Sequence, residues 1–530
     1  MDNKNEIKIE KKCQRNRITV LLISFYSGII GISDLGLKYY LKDQNEMNPS
    51  TFAQILLIIK VAYLIKPIYG LLIDFIPIFG YKKKIYLFIC FFINGLSWFL
   101  FIIKISNNLI ILIIFHIIIN ISISFTAVIG NAIQLEISKL QDKQKIFSSK
   151  TFNLMYQKHL VKAIGTLIPS FFKGFLIEKY SYDIIFYMCA LFSLFILISV
   201  LVFDEDKIEK TKRMSMKSQK NIHFSLIEGN KKKNNIKNNN KLLNLINKNI
   251  LMFFFLVLLL ESTPTCVSPL FYYQINVLGL NPQSLGLIDF SSQITTIVFI
   301  LIYNNFLIQF NFKSITFVVR ILIYGSYYLI YLLITKSTQK YISDFALLAI
   351  SSSLYAGLHS LGQLPYNFLC IKFSSIGLEA TTDSFSIFFL YLGNMFADYI
   401  DYSLALYFNV TRYDFSNLGM LVFIDNLINL IPLIFMFFCP KEFFSTKKEK
   451  EKDKDKDKDN FPLSSIELKL IDKKNNENEN NNNENIEEYK TKQTKDILEN
   501  FVVNDYEDSF GNIANDLSLT IQNSYRYAGW

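Results

Sequence analysis

Long, almost uncharged apolar runs separated by short polar breaks fill this chain from its start to about residue 440. Roughly twelve such runs succeed one another, at about 18–38, 50–74, 85–104, 108–131, 159–177, 183–203, 249–273, 284–308, 314–335, 344–368, 380–405 and 417–438; each is near the ~20 residues a helix needs to cross a bilayer. The apolar positions neither alternate nor keep to one stripe. A helix that is apolar all round sits in a very large core or in lipid. Backbone polar groups cannot stay unpaired in hydrocarbon, so the runs must be helical. The pattern predicts an all-α membrane protein of about 12 transmembrane helices, in two six-helix bundles over 18–203 and 248–440. Runs five and eight are interrupted by polar residues and are the least regular.

The polar segments organise the remainder. Residues 204–247 contain KKKNNIKNNN, and residues 441–530 contain EKEKDKDKDKD and NENENNNNENIEE. Such tracts bury too little apolar surface to offset chain entropy, and both are expected to be disordered. Lysine and arginine mark one side of the membrane: Lys8, Lys11, Lys12, Arg15 and Arg17 in the N-terminal segment 1–17, Lys82–Lys84 after run two, Lys139, Lys143, Lys145 and Lys150 after run four, and the 204–247 linker after run six. These are alternate loops, so both termini are expected in the cytoplasm. The opening MDNKNEIKIEKKCQ lacks a cleavable-signal pattern, and run one is expected to act as an uncleaved signal. A plasma membrane is the default location, an organelle membrane the alternative.

Composition changes this picture little. The chain has 530 residues, 51% of them apolar, and a net charge of +10. That charge sits in the basic loops and does not point to nucleic acid. Cys13, Cys90, Cys189, Cys266, Cys370 and Cys439 show no paired spacing, so neither a disulfide framework nor a metal site is indicated. No G-x-x-x-x-G-K-[ST] loop is present, which argues against ATP-driven pumping. No enzyme chemistry and no cofactor are expected.

Polar groups inside apolar runs are expensive, so their placement carries information. At helical spacing, run one holds Ser24, Ser27, Gly31, Asp34 and Lys38, and run four holds His116, Asn120, Ser124 and Asn131. Run seven holds Glu261, Thr265, Ser268 and Tyr272, and run ten holds Ser352, Tyr355, His359, Gln363 and Tyr366. These runs lie three apart, as nested three-helix repeats around one cavity would place them. For any single serine or threonine the alternative is a bond to its own helix backbone. Lys60, His116, Glu261 and His359 fall near mid-bilayer. Lys60 should face the cavity or a carboxylate, with Glu261 or Asp34 as partner. Arg320 and Asp425 lie nearer run ends and read as interfacial anchors.

The stretch Lys66-Pro67-Ile68-Tyr69-Gly70-Leu71-Leu72-Ile73-Asp74, followed by Pro77-Ile78-Phe79-Gly80-Tyr81 and Lys82-Lys83-Lys84, resembles the signature of the folate-biopterin transporter family of the major facilitator superfamily. Thr263-Pro264, Phe271-Tyr272-Tyr273, Leu278-Gly279-Leu280-Asn281-Pro282, Tyr303-Asn304, Gln363-Leu364-Pro365 and Gly377-Leu378-Glu379-Ala380-Thr381 resemble later family motifs in the right order. The resemblance covers roughly residues 20–440. It implies a secondary transporter for folates, pterins or related anionic heterocycles, working by alternating access and coupled to protons. On that reading Lys60, Glu261, Tyr272, Tyr355, His359 and Gln363 are candidates to bind substrate, with Tyr272, Tyr355 and Tyr366 able to stack on a flat ring. Lys66, Asp74, Gly80, Lys82, Lys83 and Glu379 would form the gate. Asp34, His116, Asn131 and Glu136 are candidates for proton coupling. The chain departs from the family in run four, where Val128 and Asn131 replace two aspartates while Glu136 is kept. The alternative is a transporter-like receptor or scaffold that uses its charged tail to bind partners. Small molecule, protons and lipid are the expected partners.

Overall fold

A computed structural model describes residues 2–45, 47–103, 109–142, 149–207, 248–307, 310, 312–373 and 379–438. Most of the 204–247 linker, the tail beyond 438, Lys143, Lys145, Gly377 and Leu378 lie outside the described residues. Chain contacts group residues Met1–Ser445 as one unit.

Helices occupy every expected run. In chain order they are α1 (Asp2–Ile29, then Ser33–Asn45), α2 (Pro49–Lys60, then Lys66–Phe75), α3 (Lys84–Ile102), α4 (Leu109–Asp142), α5 (Ser149–Lys179), α6 (Asp183–Phe195, then Ile198–Val202), α7 (Lys248–Glu261, then Val267–Asn276), α8 (Pro282–Ile302), α9 (Phe312–Ile334), α10 (Asp344–Phe373), α11 (Glu379–Tyr407) and α12 (Leu418–Ile428, then Ile431–Phe438). Among the described residues, 10 helices are long and apolar enough to cross a membrane. The two that fall short have visible reasons. α7 is interrupted, and α11 carries Glu379, Asp383, Asp398 and Asp401. Helices α4, α5 and α10 run past their apolar stretches at the end that holds the basic loops, termed here the basic end.

The breaks follow from proline. Pro67 offers no N–H to Tyr63, and its ring crowds that carbonyl. A 3-10 turn at Val61–Tyr63 results, and α2 restarts with proline in its first turn. Asn120 of α4 donates to the Ile59 carbonyl at this bend, at 3.2 Å. Pro264 breaks α7 in the same way.

Large apolar side chains such as Phe88, Phe92, Phe99, Leu191, Phe195 and Leu201 are exposed on the outer faces of α3 and α6. In water such a surface would be costly; against acyl chains it is the expected finish. The first bundle packs α1 on α5 and α3 on α4 and α6, and the second packs α7 on α11 and α10 on α8 and α9. The bundles meet along α5 and α8 and along α2, α4 and α11. Small residues permit these crossings, as membrane helix interfaces require. A Cβ on Gly70 of α2 would lie 2.6 Å from the Ala380 carbonyl oxygen of α11, and one on Gly174 of α5 would lie 2.2 Å from that of Pro282 at the start of α8.

Candidate functional site

Two chambers of about 460 and 290 Å³ lie where the bundles meet, and both are lined by Lys66, Lys162 and Tyr391. Their walls come from α1, α2, α4, α5 and α11, with Trp98 of α3 in the larger and Gln363 and Asn367 of α10 at one edge of the smaller. Lys60, Lys66, Lys158 and Lys162 converge here, against the carboxylates Asp34 and Asp383 and, as partner of Lys60, Asp398. Lysines therefore outnumber carboxylates.

Each lysine is held differently. Lys60 Nζ pairs with Asp398 Oδ2 of α11 at 2.6 Å. Buried Lys66 places Nζ 3.8 Å from the centre of the Tyr391 ring, which is itself stacked on Tyr63 with centroids 4.7 Å apart. Such a cation–π contact keeps an ammonium favourable with little water. Lys158 donates to Asn131 Oδ1 and to Gln134 Oε1, and Asn131 Nδ2 donates to Asp383 Oδ2 at 2.7 Å. Lys162 reaches both chambers and has no ion pair among the described residues.

Contacts join the bundles at both ends. At the basic end, Asp74 Oδ2 accepts the Thr381 N–H at 2.8 Å and its hydroxyl at 2.7 Å. A carboxylate of the first bundle thus caps the helix N-terminus of α11, where N–H groups have no partner within the helix. The chain then turns at Phe79-Gly80, with φ of 49° and 89° and reciprocal Ile78–Tyr81 backbone bonds at 2.9 Å. This is a two-residue hairpin turn of the kind that favours glycine at its second position. The Glu205 carboxylate, just past α6, accepts the backbone N–H groups of Lys82, Lys83 and Lys84 at 2.8–3.1 Å, capping α3. Lys83 pairs with Glu136 of α4. At the opposite end, Lys173 of α5 pairs with Asp289 of α8 at 2.5 Å. Glu178 accepts from Asn281 and Gln283 there, and Phe52 of α2 stacks on Phe271 of α7.

Asp34, Lys60, His116 and Asn131 lie in the cavity wall. His116 packs edge-on to Trp98 with centroids 5.4 Å apart, and its Nδ1 has no hydrogen-bond partner. Several expectations are corrected. Lys60 meets Asp398, not Glu261 or Asp34. Glu261 instead faces Arg320 of α9 at 3.4 Å and His359 at 3.5 Å inside the second bundle. Arg320 is therefore an interior ion-pair partner, and Asp425 is 3% exposed, so neither is an interfacial anchor. Tyr355 stacks on His359, and Gln363 alone of this set reaches both the Glu261 pocket and the smaller of the two central chambers. Tyr272 is buried against Phe52 and edges a separate pocket with Arg412. Tyr366 is buried on Phe253 and donates to the Ser386 carbonyl. In the gate, Asp74 caps α11 and forms no ion pair with Lys82 or Lys83; the Lys82 backbone N–H goes to Glu205 and the Lys83 ammonium to Glu136. Glu379 is buried in the first turn of α11. The sequence pattern missed Lys158, just before run five, Lys162 within it, and Asp383, Tyr391, Asn394 and Asp398 in run eleven. For Lys162, Asp383 and Asp398 the signal was charge inside an apolar run; Tyr391 and Asn394 carried no such signal.

Two bundles, a cavity between them and contacts joining them at each end define a transporter of major-facilitator architecture. Solved structures agree on the fold. The nucleoside transporter NupG superposes with a TM-score of 0.54 at 14% identity, over 80% of this chain and 100% of that one. A D-xylose-proton symporter gives 0.56 at 12% identity, over 82% and 98%. Residues 27–459 match the BT1 family, and the chain belongs to it. A folate-biopterin transporter of Synechocystis sp. is 23% identical over 434 residues, covering 80% of this chain and 81% of that protein. Folate transporter 1 of Plasmodium falciparum is 25% identical over 431 residues, covering 81% and 80%.

Proposed function

We propose that this protein carries a folate, a pterin or a related anionic heterocycle across a membrane by alternating access, coupled to protons. The observation that supports this most is the lysine-rich cavity, with Lys162 free to meet a substrate carboxylate and the Tyr63–Tyr391 pair presenting a flat aromatic wall. A carboxylate paired with an ammonium away from bulk water is a strong contact, and a heteroaromatic ring gains from stacking on tyrosine. The names of the relatives point to the same substrates. Asn131 stands where the family carries a carboxylate, yet it bridges Lys158 to Asp383, so α11 supplies an acid beside the position that α4 has lost. Rocking of one bundle on the other would alternately part the Asp74–Thr381 and Lys173–Asp289 contacts. Both termini face the cytoplasm in this reading, with the plasma membrane as the site. Protease added to sealed right-side-out vesicles should then leave the tail intact.

The test is uptake and binding of labelled folate by purified protein in vesicles. Lys162→Met should weaken folate binding by about tenfold, while Lys162→Arg restores most of it. A pterin without a carboxylate should be less affected by either change. Absence of both binding and uptake for folate and for pterin would reject the reading.

A further inference from the structure

The interruption of α7 gathers a second polar cluster that the central cavity does not use. α7 stops after Glu261 and resumes at Val267, with Cys266 in the left-handed region at φ 54°. Asp401 of α11 takes up the freed backbone donors, accepting the N–H of Thr265 at 3.1 Å and that of Cys266 at 3.0 Å. Asn429 of α12 donates to the Pro264 carbonyl at 3.2 Å. One turn earlier on the same helix lies Asp425, which is 3% exposed. Neither of its carboxylate oxygens has a hydrogen-bond partner.

The two aspartates differ in what holds their charge. Asp401 accepts two backbone N–H groups at the start of a helix, where a negative charge is favoured. Asp425 interacts with Asp401 and has no donor of its own. The titratable groups facing it are Asp401 from α11, the Cys266 thiol from α7 and the Tyr327 hydroxyl from α9. None of these is a cation. The nearby cations are engaged elsewhere: Arg320 of α9 and His359 of α10 with Glu261, and Lys60 with Asp398. An ionised Asp425 would sit beside a like charge in a buried, donor-free place, and two such carboxylates do not both ionise readily.

We propose that Asp425, facing Asp401 across the break in α7, is the proton-binding site of the transport cycle. A proton adds to one carboxylate oxygen of Asp425, giving a neutral acid, and leaves to water when the break opens. The consequence reaches the cavity through α11. That helix holds Asp401 at the break, Asp398 on Lys60, Tyr391 and Asp383 in the cavity wall, and Thr381 on Asp74. Charge appearing at Asp425 repels Asp401 and loosens its hold on the break in α7. The cavity and the basic-end contact are thereby biased by one titration. This deepens the transport reading and rests on its proton coupling.

The test uses full-length protein reconstituted in vesicles, with two readouts. The first needs no substrate. The infrared carbonyl band of a protonated carboxyl should be present in the wild type, bleach as pH is raised, and be missing in Asp425→Asn. The second compares labelled folate uptake driven by an inward proton gradient with folate–folate exchange at symmetric pH. The ratio of driven uptake to exchange should fall about tenfold in Asp425→Asn, the size of an ordinary coupling free energy. If that variant does not fold, Asp425→Glu decides, because it keeps an acid and should shift the band. A band unchanged in both variants, a driven-to-exchange ratio equal to wild type, or uptake driven by a sodium gradient in place of protons would overturn the proposal. Loss of the band in a protein that moves no folate would support the proton site and reject the substrate.

Discussion

Replacing Asp74 by alanine should shift the molecule toward the state open at its basic end. In the structure the carboxylate accepts two hydrogen bonds from Thr381, at 2.8 and 2.7 Å, and is 7% exposed, so solvent screens it little. A hydrogen bond to a charged group contributes about 1.5–3 kcal/mol, and a carboxylate at a helix N-terminus adds about 0.3–1 kcal/mol. Water replaces part of this once α2 and α11 separate. A net loss of about 2–3 kcal/mol corresponds to a shift of about 30- to 150-fold in the balance between closed and open. The assay is thiol labelling in a variant with all six native cysteines replaced and Ala127→Cys introduced, because Ala127 lines both chambers. Labelling from the basic side should rise at least about tenfold in Asp74→Ala. Thr381→Val keeps the backbone N–H and loses the hydroxyl, so its effect should be intermediate. Transport should drop far more than expression does. The reasoning fails if labelling is unchanged in Asp74→Ala, or if folate affinity collapses while the cycling rate stays normal.

Lys60→Met should strand Asp398, and Asp398→Asn should strand Lys60; each should destabilise the purified protein, and the double variant should recover about 1–3 kcal/mol relative to additivity, read as thermal stability. The same cycle between Lys60 and Glu261 should be additive, since each residue has its own partner. Gly174→Val should force α5 from α8 and cost several °C in Tm along with transport, because its Cβ would lie 2.2 Å from a backbone oxygen. Gly325→Ala in α9 is the control: nothing lies within 4 Å of the added carbon, so it should be neutral or stabilise by up to about 1 kcal/mol. Glu205→Ala should remove the acceptor for three backbone donors at the start of α3, costing about 1–2 kcal/mol, and hydrogen exchange at Lys82–Lys84 should quicken while exchange in the middle of α3 does not change.

The helices were legible because the requirement that makes them is local. Each apolar run must pair its own backbone within itself to enter lipid, so length and hydropathy suffice, and the α2 bend and the α7 break follow from Pro67 and Pro264. Lys60 and Glu261 announced themselves as charges too costly to face lipid, and each is indeed partnered inside protein. What one chain of letters could not decide was the partner. Asp398, Arg320 and Thr381 lie 338, 59 and 307 positions from the residues they meet. Which of several buried charges meet depends on how α11 and α9 are rotated against α2 and α7, and helical periodicity says nothing of that rotation. The same reason explains the missed residues of α5 and α11. The charges of Lys158, Lys162, Asp383 and Asp398 were visible, but a stripe becomes a cavity wall only when the neighbouring helices leave space beside it, and that space exists only once the two bundles are docked.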